Sequence, residues 1–492
     1  MLHRGTVALC LLLVCQPLLA VATNDDHTFF LREQTQRAVE RRALPPDSLI
    51  APPGAVVHDN TIYEVQTTLE SLEPAIYIAL NTGQWDRLLE FISRYRLLRD
   101  HRAALVDMAL GLLARQQGDH ARALHRMQAA HTAAPEDIRI RLELARLQFE
   151  DNRDAEARAN FESARRGELP DYGRRLAQQY LAALDARARW HGSLAVGMGY
   201  NSNINHANGD RSCLAVFMDI CVVERNMADP ISSALMGYEA VLERRYNLTG
   251  NHNLLVQPIS YGSYYRRNGL VGITDVRNYS GASSMLYLGY QYLSARTSVS
   301  LLPYAEHYYR DGRSNYLSGG MQMEWRRMIA AKWHAGASLD ARRYHHKQAA
   351  RGIASDYSQY RSSLFASYVP RRATSIYGGL DLVRKKYEVE QASSRDLAMR
   401  MGISHAFETS AGLYLNAMGI FRLSQNDAYD GFLGGRRRDK QQVYIVSLCA
   451  KGWNIAGLTP ELRVRHSANR SNLGWAFDFR QNEMTLLLRR TF

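Results

Sequence analysis

At Trp190-His191-Gly192 the spacing of apolar residues changes, and from there to Phe492 the chain alternates. Leu194, Val196, Met198 and Tyr200 are separated by Ala195, Gly197 and Gly199. The same spacing returns at Met236/Tyr238/Ala240/Leu242, Leu286/Leu288/Tyr290/Tyr292 and Leu317/Gly319/Met321/Met323/Trp325. It continues at Ile376/Gly378/Leu380/Leu382, Met399/Met401/Ile403, Leu413/Leu415/Ala417/Gly419/Phe421, Val443/Ile445/Ser447/Cys449 and finally Met484/Leu486/Leu488/Phe492. A period of two belongs to strands, not helices. The interleaved positions are small, polar or charged, which is the lipid-out, lumen-in dyad of a transmembrane barrel. A soluble sandwich also alternates, but with shorter segments and its apolar face turned inward. No run beyond the first twenty residues is long enough for a membrane-spanning helix.

The connections alternate as well. Asn247–Asn251, Ala330–Lys332, Pro370–Ala373 and Glu408–Ser410 read as short periplasmic turns, and Asn201–Ile231, Lys347–Asp356 and Asn426–Lys440 as long outer loops. Roughly 300 residues at roughly 21 per strand give about 14 strands, an even number that puts both barrel ends in the periplasm. A midplane Arg on the lipid face costs about 2–4 kcal/mol. Arg490 falls in the lipid-facing phase, yet one step from the strand end, where it reaches the headgroups. A last strand ending on Phe492 is what such a barrel presents to the machinery that inserts it. Barrel assembly machinery, periplasmic chaperones and outer-membrane lipid are therefore expected partners, and a monomer is expected.

The other end sets the compartment. Arg4, the apolar run Val7–Leu19 and Ala20-Val21-Ala22 make a secretory signal peptide, residues 1–22. Residues 23–60 read as a polar leader, with Pro45, Pro46, Pro52 and Pro53 excluding regular structure from its second half. Cys10 and Cys15 leave with the signal; Cys213 and Cys221 are expected to pair in an oxidising periplasm or beyond it, and Cys449 reads as a small hydrophobe. Net charge is +13, and the part after residue 190 carries 37 Lys/Arg against 23 Asp/Glu. No nucleic-acid module accompanies that excess, so lipopolysaccharide or an acidic protein cargo suits it better than nucleic acid.

Residues 61–190 have helical periodicity and an internal repeat. Leu110, Gly111, Gly118, Ala123, Ala130 and Pro135 carry tetratricopeptide spacing, and Leu144, Ala145, Ala157, Phe161, Ala164 and Pro170 repeat it about 34 residues on. A worn copy precedes them at Ala79, Gly83 and Leu89, and a helix over 172–189 caps the stack. An unrelated array of helical hairpins is the alternative. Either way stacked hairpins present a concave face, on which Arg115, Gln116, Arg139, Arg146 and Glu150 are expected as a client-binding groove. For any one of them a solvated helix face is the plainer reading.

No catalytic constellation, phosphate loop or His-Glu-x-x-His metal motif is legible, and His345 and His346 fall on opposite faces of a strand. No enzyme activity, cofactor or metal is expected; polar residues inside a barrel are its ordinary lining.

Two stretches carry a specific likeness: Gly434-Gly435-Arg436-Arg437-Arg438-Asp439-Lys440, and Gly457-Leu458-Thr459-Pro460-Glu461-Leu462 with His466 and Arg470-Ser471-Asn472. With Asn201–Asn205 and the terminal Thr491-Phe492, they resemble the surface lipoprotein assembly modulators, the Slam family, of Gram-negative bacteria. The resemblance covers the mature chain and implies a tetratricopeptide-type α-solenoid followed by a 14-stranded antiparallel outer-membrane β-barrel. It implies a translocon for client proteins: surface lipoproteins that capture transferrin, lactoferrin or haem, or secreted haem- and iron-binding proteins, recognised by a small carboxy-terminal barrel. It carries over no catalytic residue. Arg436, Arg437, Arg438, Asp439, Lys440, Thr459, Pro460, His466 and Arg470 are expected as loop or lumen elements. Gly197 and Gly199 should weaken the first strand against the last, ending at Phe492, and so mark a lateral exit seam. A repeat-linked exopolysaccharide export porin and a plain channel or adhesin are the rival readings.

Overall fold

The computed structural model describes residues 25–34, 65–167, 169–266, 274–347 and 355–492, with short strand segments at 57–58, 61–62 and 270–271. The signal peptide and the four leader prolines lie outside the described residues.

Fourteen antiparallel strands close into one barrel. In chain order they are β1 His191–Asn201, β2 Ser233–Thr249, β3 His252–Tyr265, β4 Gly281–Leu293, β5 Thr297–Arg310, β6 Arg313–Ala330 and β7 Trp333–His346. Then follow β8 Tyr357–Arg371, β9 Thr374–Tyr387, β10 Ser394–Ala406, β11 Leu413–Asn426, β12 Arg438–Ala450, β13 Thr459–Ser471 and β14 Phe479–Thr491. Each pairs with its chain neighbour, and β14 closes on β1. Closure leaves no strand edge unpaired, as a hydrocarbon surround requires. Leu194, Val196, Met198, Met321, Met323, Leu380, Leu382, Met484 and Leu486 all stand exposed on the outer face, as the alternation requires.

One strand reverses its expected phase. Val443, Ile445, Ser447 and Cys449 of β12 are buried inward, and Tyr444, Val446 and Leu448 face out. Both phases of this segment are apolar, so alternation alone does not choose between them.

The turns after β2, β4, β6, β8, β10 and β12 lie on the side where β1 begins and β14 ends, the periplasmic side; the loops after the odd-numbered strands lie outside. Most outer loops are long, but β5 and β6 are joined by Asp311-Gly312 with φ of 54° and 68°, the Asp-Gly turn whose two positive φ values match the strand twist. The loop after β1 carries a hairpin, Arg211–Phe217 with Ile220–Asn226, joined by a Cys213–Cys221 disulfide with Cα atoms 5.8 Å apart.

Ahead of the barrel stand α2 Leu69–Thr82, α3 Trp85–Tyr95, α4 Ala103–Gln116, α5 His120–Ala133, α6 Ile138–Glu150, α7 Asp154–Arg166 and α8 Asp171–Arg187. The repeat's small residues sit where helices cross. Ala123, Ala130, Ala145, Ala157 and Ala164 are fully buried, and a Cβ on Gly111 would lie 3.3 Å from the Ala123 carbonyl. Phe161 stacks on Tyr180 at 4.9 Å, fastening the capping helix α8.

The tip between α6 and α7 clasps the barrel's periplasmic turns. The Asp151 carboxylate accepts from the Ala295 amide at 3.0 Å, and the Asn251 side chain donates to the Asp151 backbone and carboxylate. The Ala155 amide donates to Asn247 at 3.0 Å, and Asp154 pairs with Arg245 at 3.1 Å and Arg187 at 3.0 Å.

Residues 25–34 form a helix, α1, and it stands inside the barrel. Its sequence alternates charge with Phe29, Phe30 and Leu31, so mean polarity hides an apolar surface that only an enclosed position buries.

Candidate functional site: the barrel lumen and the concave helical face

Inward positions of the barrel carry charge, and the charges meet in pairs. Glu461 of β13 is fully buried and accepts from Arg463, from Arg489 Nε at 2.6 Å and from Ser447 at 2.8 Å. Glu239 of β2 accepts from Arg463 and, at 2.7 Å, from Arg489. Around the wall Arg400 pairs with Asp381, Lys385 with Asp396 at 3.1 Å, and Arg342 with Glu306 at 3.1 Å. A guanidinium removed from bulk water needs such a partner, because an unpaired buried charge costs several kcal/mol.

Helix α1 completes this lining. Asp25 accepts from Arg342 at 2.8 Å, Arg361 at 2.6 Å and Gln359 at 3.1 Å, and Asp26 from Arg422 at 2.7 Å. His27 lies 3.2 Å from Glu239, and Thr28 meets the Tyr261 hydroxyl at 3.0 Å. The Phe29 ring lies 3.7 Å beneath Arg400, and the Phe30 ring 5.0 Å beneath Arg463. Phe30 and Leu31 are 1% exposed, packed in one cluster with Val241, Ile259, Met418, Ile420, Val443 and Ile445 of the inner wall. The inverted phase of β12 follows from this: its inward valine and isoleucine face a helix, not water.

The closing seam joins these groups. β1 and β14 pair over nine residues, Ser193↔Thr491 to Asn201↔Glu483, against eleven to fourteen at the other junctions. Gly192 and Phe492 extend the pairing by exchanging backbone bonds at 3.0 and 3.1 Å. Gly197 and Gly199 face inward, and a Cβ on either would run into the backbone carbonyls of Leu486 and Met484. Their smallness is thus used for close approach of the two strands, beyond the lost packing that interior glycines bring. Arg489 bridges the seam, donating to Ser193 of β1 at 2.9 Å.

Of the five groove residues, three converge. Arg115 at the end of α4 donates to the Glu150 carboxylate at the end of α6 at 2.6, 2.8 and 3.1 Å, and Arg146 Nε lies 3.4 Å from the same carboxylate. Burial would pull the Arg115 guanidinium down, but Glu150 outweighs it and holds the group above its usual range. Tyr180 on α8 sits beside this cluster with its hydroxyl pushed up by burial. Arg139 lies apart, over the Tyr77 ring at 4.6 Å and donating to Asn81 at 2.8 Å, and Gln116 is solvent-exposed.

The arginine-rich stretch divides. Arg437 pairs with Asp439 at 2.6 Å and covers the Phe477 ring at 3.6 Å, while the Arg436 carbonyl and Arg438 backbone bind Asn472. Lys440, His466 and Arg470 are not lumen or loop groups. They lie within β12 and β13 in the same phase as the exposed Leu462 and Val464, and so face outward; His466 bonds Asn482 at 2.6 Å. Thr459 and Pro460 open β13 at the periplasmic rim, paired with Arg489 and Leu488.

Sequence reasoning passed over two features. The lumenal residues of α1 and their arginines had a signal, Asp25-Asp26 followed by Phe29-Phe30-Leu31, inside a segment otherwise polar. The disulfide-bonded hairpin exposes Val216, Phe217, Met218 and Ile220, an apolar tip on the outer side.

Residues 190–492 match the family described as surface lipoprotein assembly modifier, and residues 59–161 match its N-terminal TPR repeats. The chain is 24% identical over 457 residues to the hemophilin secretion modulator of Acinetobacter baumannii, covering 87% of each chain. It is 24% identical over 440 residues to surface lipoprotein assembly modifier 2 of Neisseria meningitidis serogroup B, covering 82% of this chain and 83% of that one. Among solved structures, Acinetobacter baumannii OccAB1 aligns over 62% of this chain and 96% of its own at 10% identity, with a TM-score of 0.33. A closed 14-strand outer-membrane barrel behind a periplasmic repeat domain, matched along its length, belongs to the surface lipoprotein assembly modifier family.

Proposed function

We propose that this chain is an outer-membrane translocon that delivers client proteins to the cell surface. The clients are surface lipoproteins or secreted haem- and iron-capture proteins with a small carboxy-terminal barrel. The observation that carries the reading is the clasp of Asp151, Asp154 and Ala155 on the β2–β3 and β4–β5 turns, which holds the helical repeats against the periplasmic side of a barrel. A relative named for hemophilin secretion and relatives named for surface lipoprotein assembly support it. The Arg115–Glu150–Arg146 cluster is the part of the concave face that grips the client, with periplasmic chaperones bringing the client to it. No ATP is needed if the client folds outside, since folding is worth about 5–15 kcal/mol.

The polysaccharide-export reading calls for free lumenal cations, whereas Arg400, Arg463, Arg489 and Lys385 each carry a carboxylate of the wall, and Arg361 and Arg422 carry those of α1. The test is deletion of residues 65–187 in cells that co-express a client of the proposed class, a surface lipoprotein or secreted haem-binding protein with a small carboxy-terminal barrel. Loss of surface display, with the barrel still folded by its heat-dependent gel mobility, is the expected result. Undiminished display would overturn the proposal.

A further inference from the structure

Helix α1 is held by a wall that is otherwise complete. Glu239, Glu306, Asp381 and Asp396 pair with cations of the wall, and no strand depends on α1 for closure. Arg361 and Arg422 differ, because the carboxylates they pair with are Asp25 and Asp26 of the helix. Beside them the wall turns apolar, with Ile259, Met418, Ile420, Val443 and Ile445 facing the lumen. A lumen that only holds water gains nothing from such residues, and their burial depends on an apolar guest. Charge and apolar surface together therefore describe a receptor: arginines for an acidic pair, and an aliphatic floor with cation faces for the aromatic residues that follow.

We infer that the barrel lumen is a binding site for an amphipathic peptide segment with an acidic pair followed within a helical turn by aromatic side chains, and that α1 is its resident occupant. The occupant closes the lumen at rest. On the translocon reading, on which this biological use rests, a client segment of the same chemistry is the competitor that displaces α1. The helix is the part that leaves, since it shares no backbone pairing with the wall among the described residues.

The experiment needs no client. Full-length protein in planar bilayers should open rarely, and a variant lacking residues 25–34 should conduct steadily. Asp26→Arg sets two cations against each other at the Arg422 contact, and its open probability should rise on the order of 10-fold or more, the worth of one charge-assisted bond. Asp26→Arg with Arg422→Asp restores an opposite pair and should return the channel towards rest, a rescue that a misfolded barrel would not give. A synthetic peptide of residues 24–35 added to the deletion variant should block it, and the same peptide with both aspartates replaced by lysine should not. Equal conductance of intact and deleted protein, absence of rescue, or equal block by the two peptides would each overturn the inference. Client display measured on the same variants reads the translocon proposal separately.

Discussion

Arg489 is where the closing seam and the buried charge network coincide, so its loss should be felt as both. Its guanidinium makes three bonds: to Glu461 at 2.6 Å, Glu239 at 2.7 Å and Ser193 at 2.9 Å. Two arginines and two glutamates form the network, and Arg489→Met leaves two carboxylates sharing Arg463. Breaking a buried pair by removing one partner costs about 3–5 kcal/mol, because the other charge stays buried. That is a factor of about 100 or more in the unfolding equilibrium. Arg490, the next residue, points outward and exposed at the strand end, so Arg490→Met should stay within about 0.5 kcal/mol of the parent. The assay is urea unfolding in phospholipid vesicles, read by gel mobility of the unboiled protein. If the cost is an uncompensated carboxylate and not lost shape, Arg489→Met combined with Glu239→Gln should recover part of the loss. An Arg489→Met barrel that unfolds with the Arg490→Met barrel, within about 1 kcal/mol, would refute the assignment of the network to the seam.

Three further outcomes are expected. Met198 and Leu486 are partners across the seam, in a class of pair with Cα atoms about 5.5 Å apart, inside disulfide range; cysteines there should cross-link, and the lateral-exit proposal fails if client display persists with the seam oxidised. Phe161→Ala removes a buried ring stacked on Tyr180 and should cost the helical domain about 3–5 kcal/mol, seen as earlier loss of helical circular dichroism and faster proteolysis within 65–187 while barrel mobility is kept. His206, in the loop after β1, is held down to about 4 by burial and by the nearby Arg465 and Arg310. The folded state thus binds its proton later than the unfolded chain, so the loop's stability is complete above about pH 6.5 and falls as the pH drops from there towards 4. Hydrogen exchange across 203–231 should show that loss, and His206→Asn, which tolerates the positive φ of 51°, should flatten it.

How much of this was legible depended on which physical signal each part used. The strands and the outward face of most of them followed from a two-residue period, because lipid imposes one rule on every outward position, and their number followed from the length of the alternating half. Met321, Met323 and Trp325 could be placed from their letters alone, and they stand exposed as placed. The repeat domain was readable for a similar reason: Ala123, Ala157 and Gly111 must be small wherever two helices cross, whatever surrounds them. Pairings across the fold were not readable. Arg115 and Glu150 were both expected on the groove, but their bidentate bond depends on helix ends brought together by stacking, and Arg139, equally basic and equally spaced, went to Tyr77 and Asn81 instead. His466 and Arg470 were placed by likeness to a motif, and likeness does not carry strand phase. Counting from the exposed Leu462 and Val464 would have turned them outward.

The lumen was the hardest part to read, and the reason bears on what it does. A rule that assigns apolar residues to lipid and polar ones to the lumen treats an inward Val443 or Ile445 as an error of phase, and so turns β12 the wrong way round. Those residues obey a second rule, set by what the lumen holds. They are apolar where Phe30 and Leu31 lie against them, while Arg361 and Arg422 meet Asp25 and Asp26. Two stretches nearly four hundred residues apart are therefore complementary in charge and in polarity, a match that neither displays by itself. An inward apolar patch next to arginines is in this sense a record of the guest. Its chemistry, an acidic pair leading into aromatics, is the feature by which a passing polypeptide would be told apart from one that merely fits.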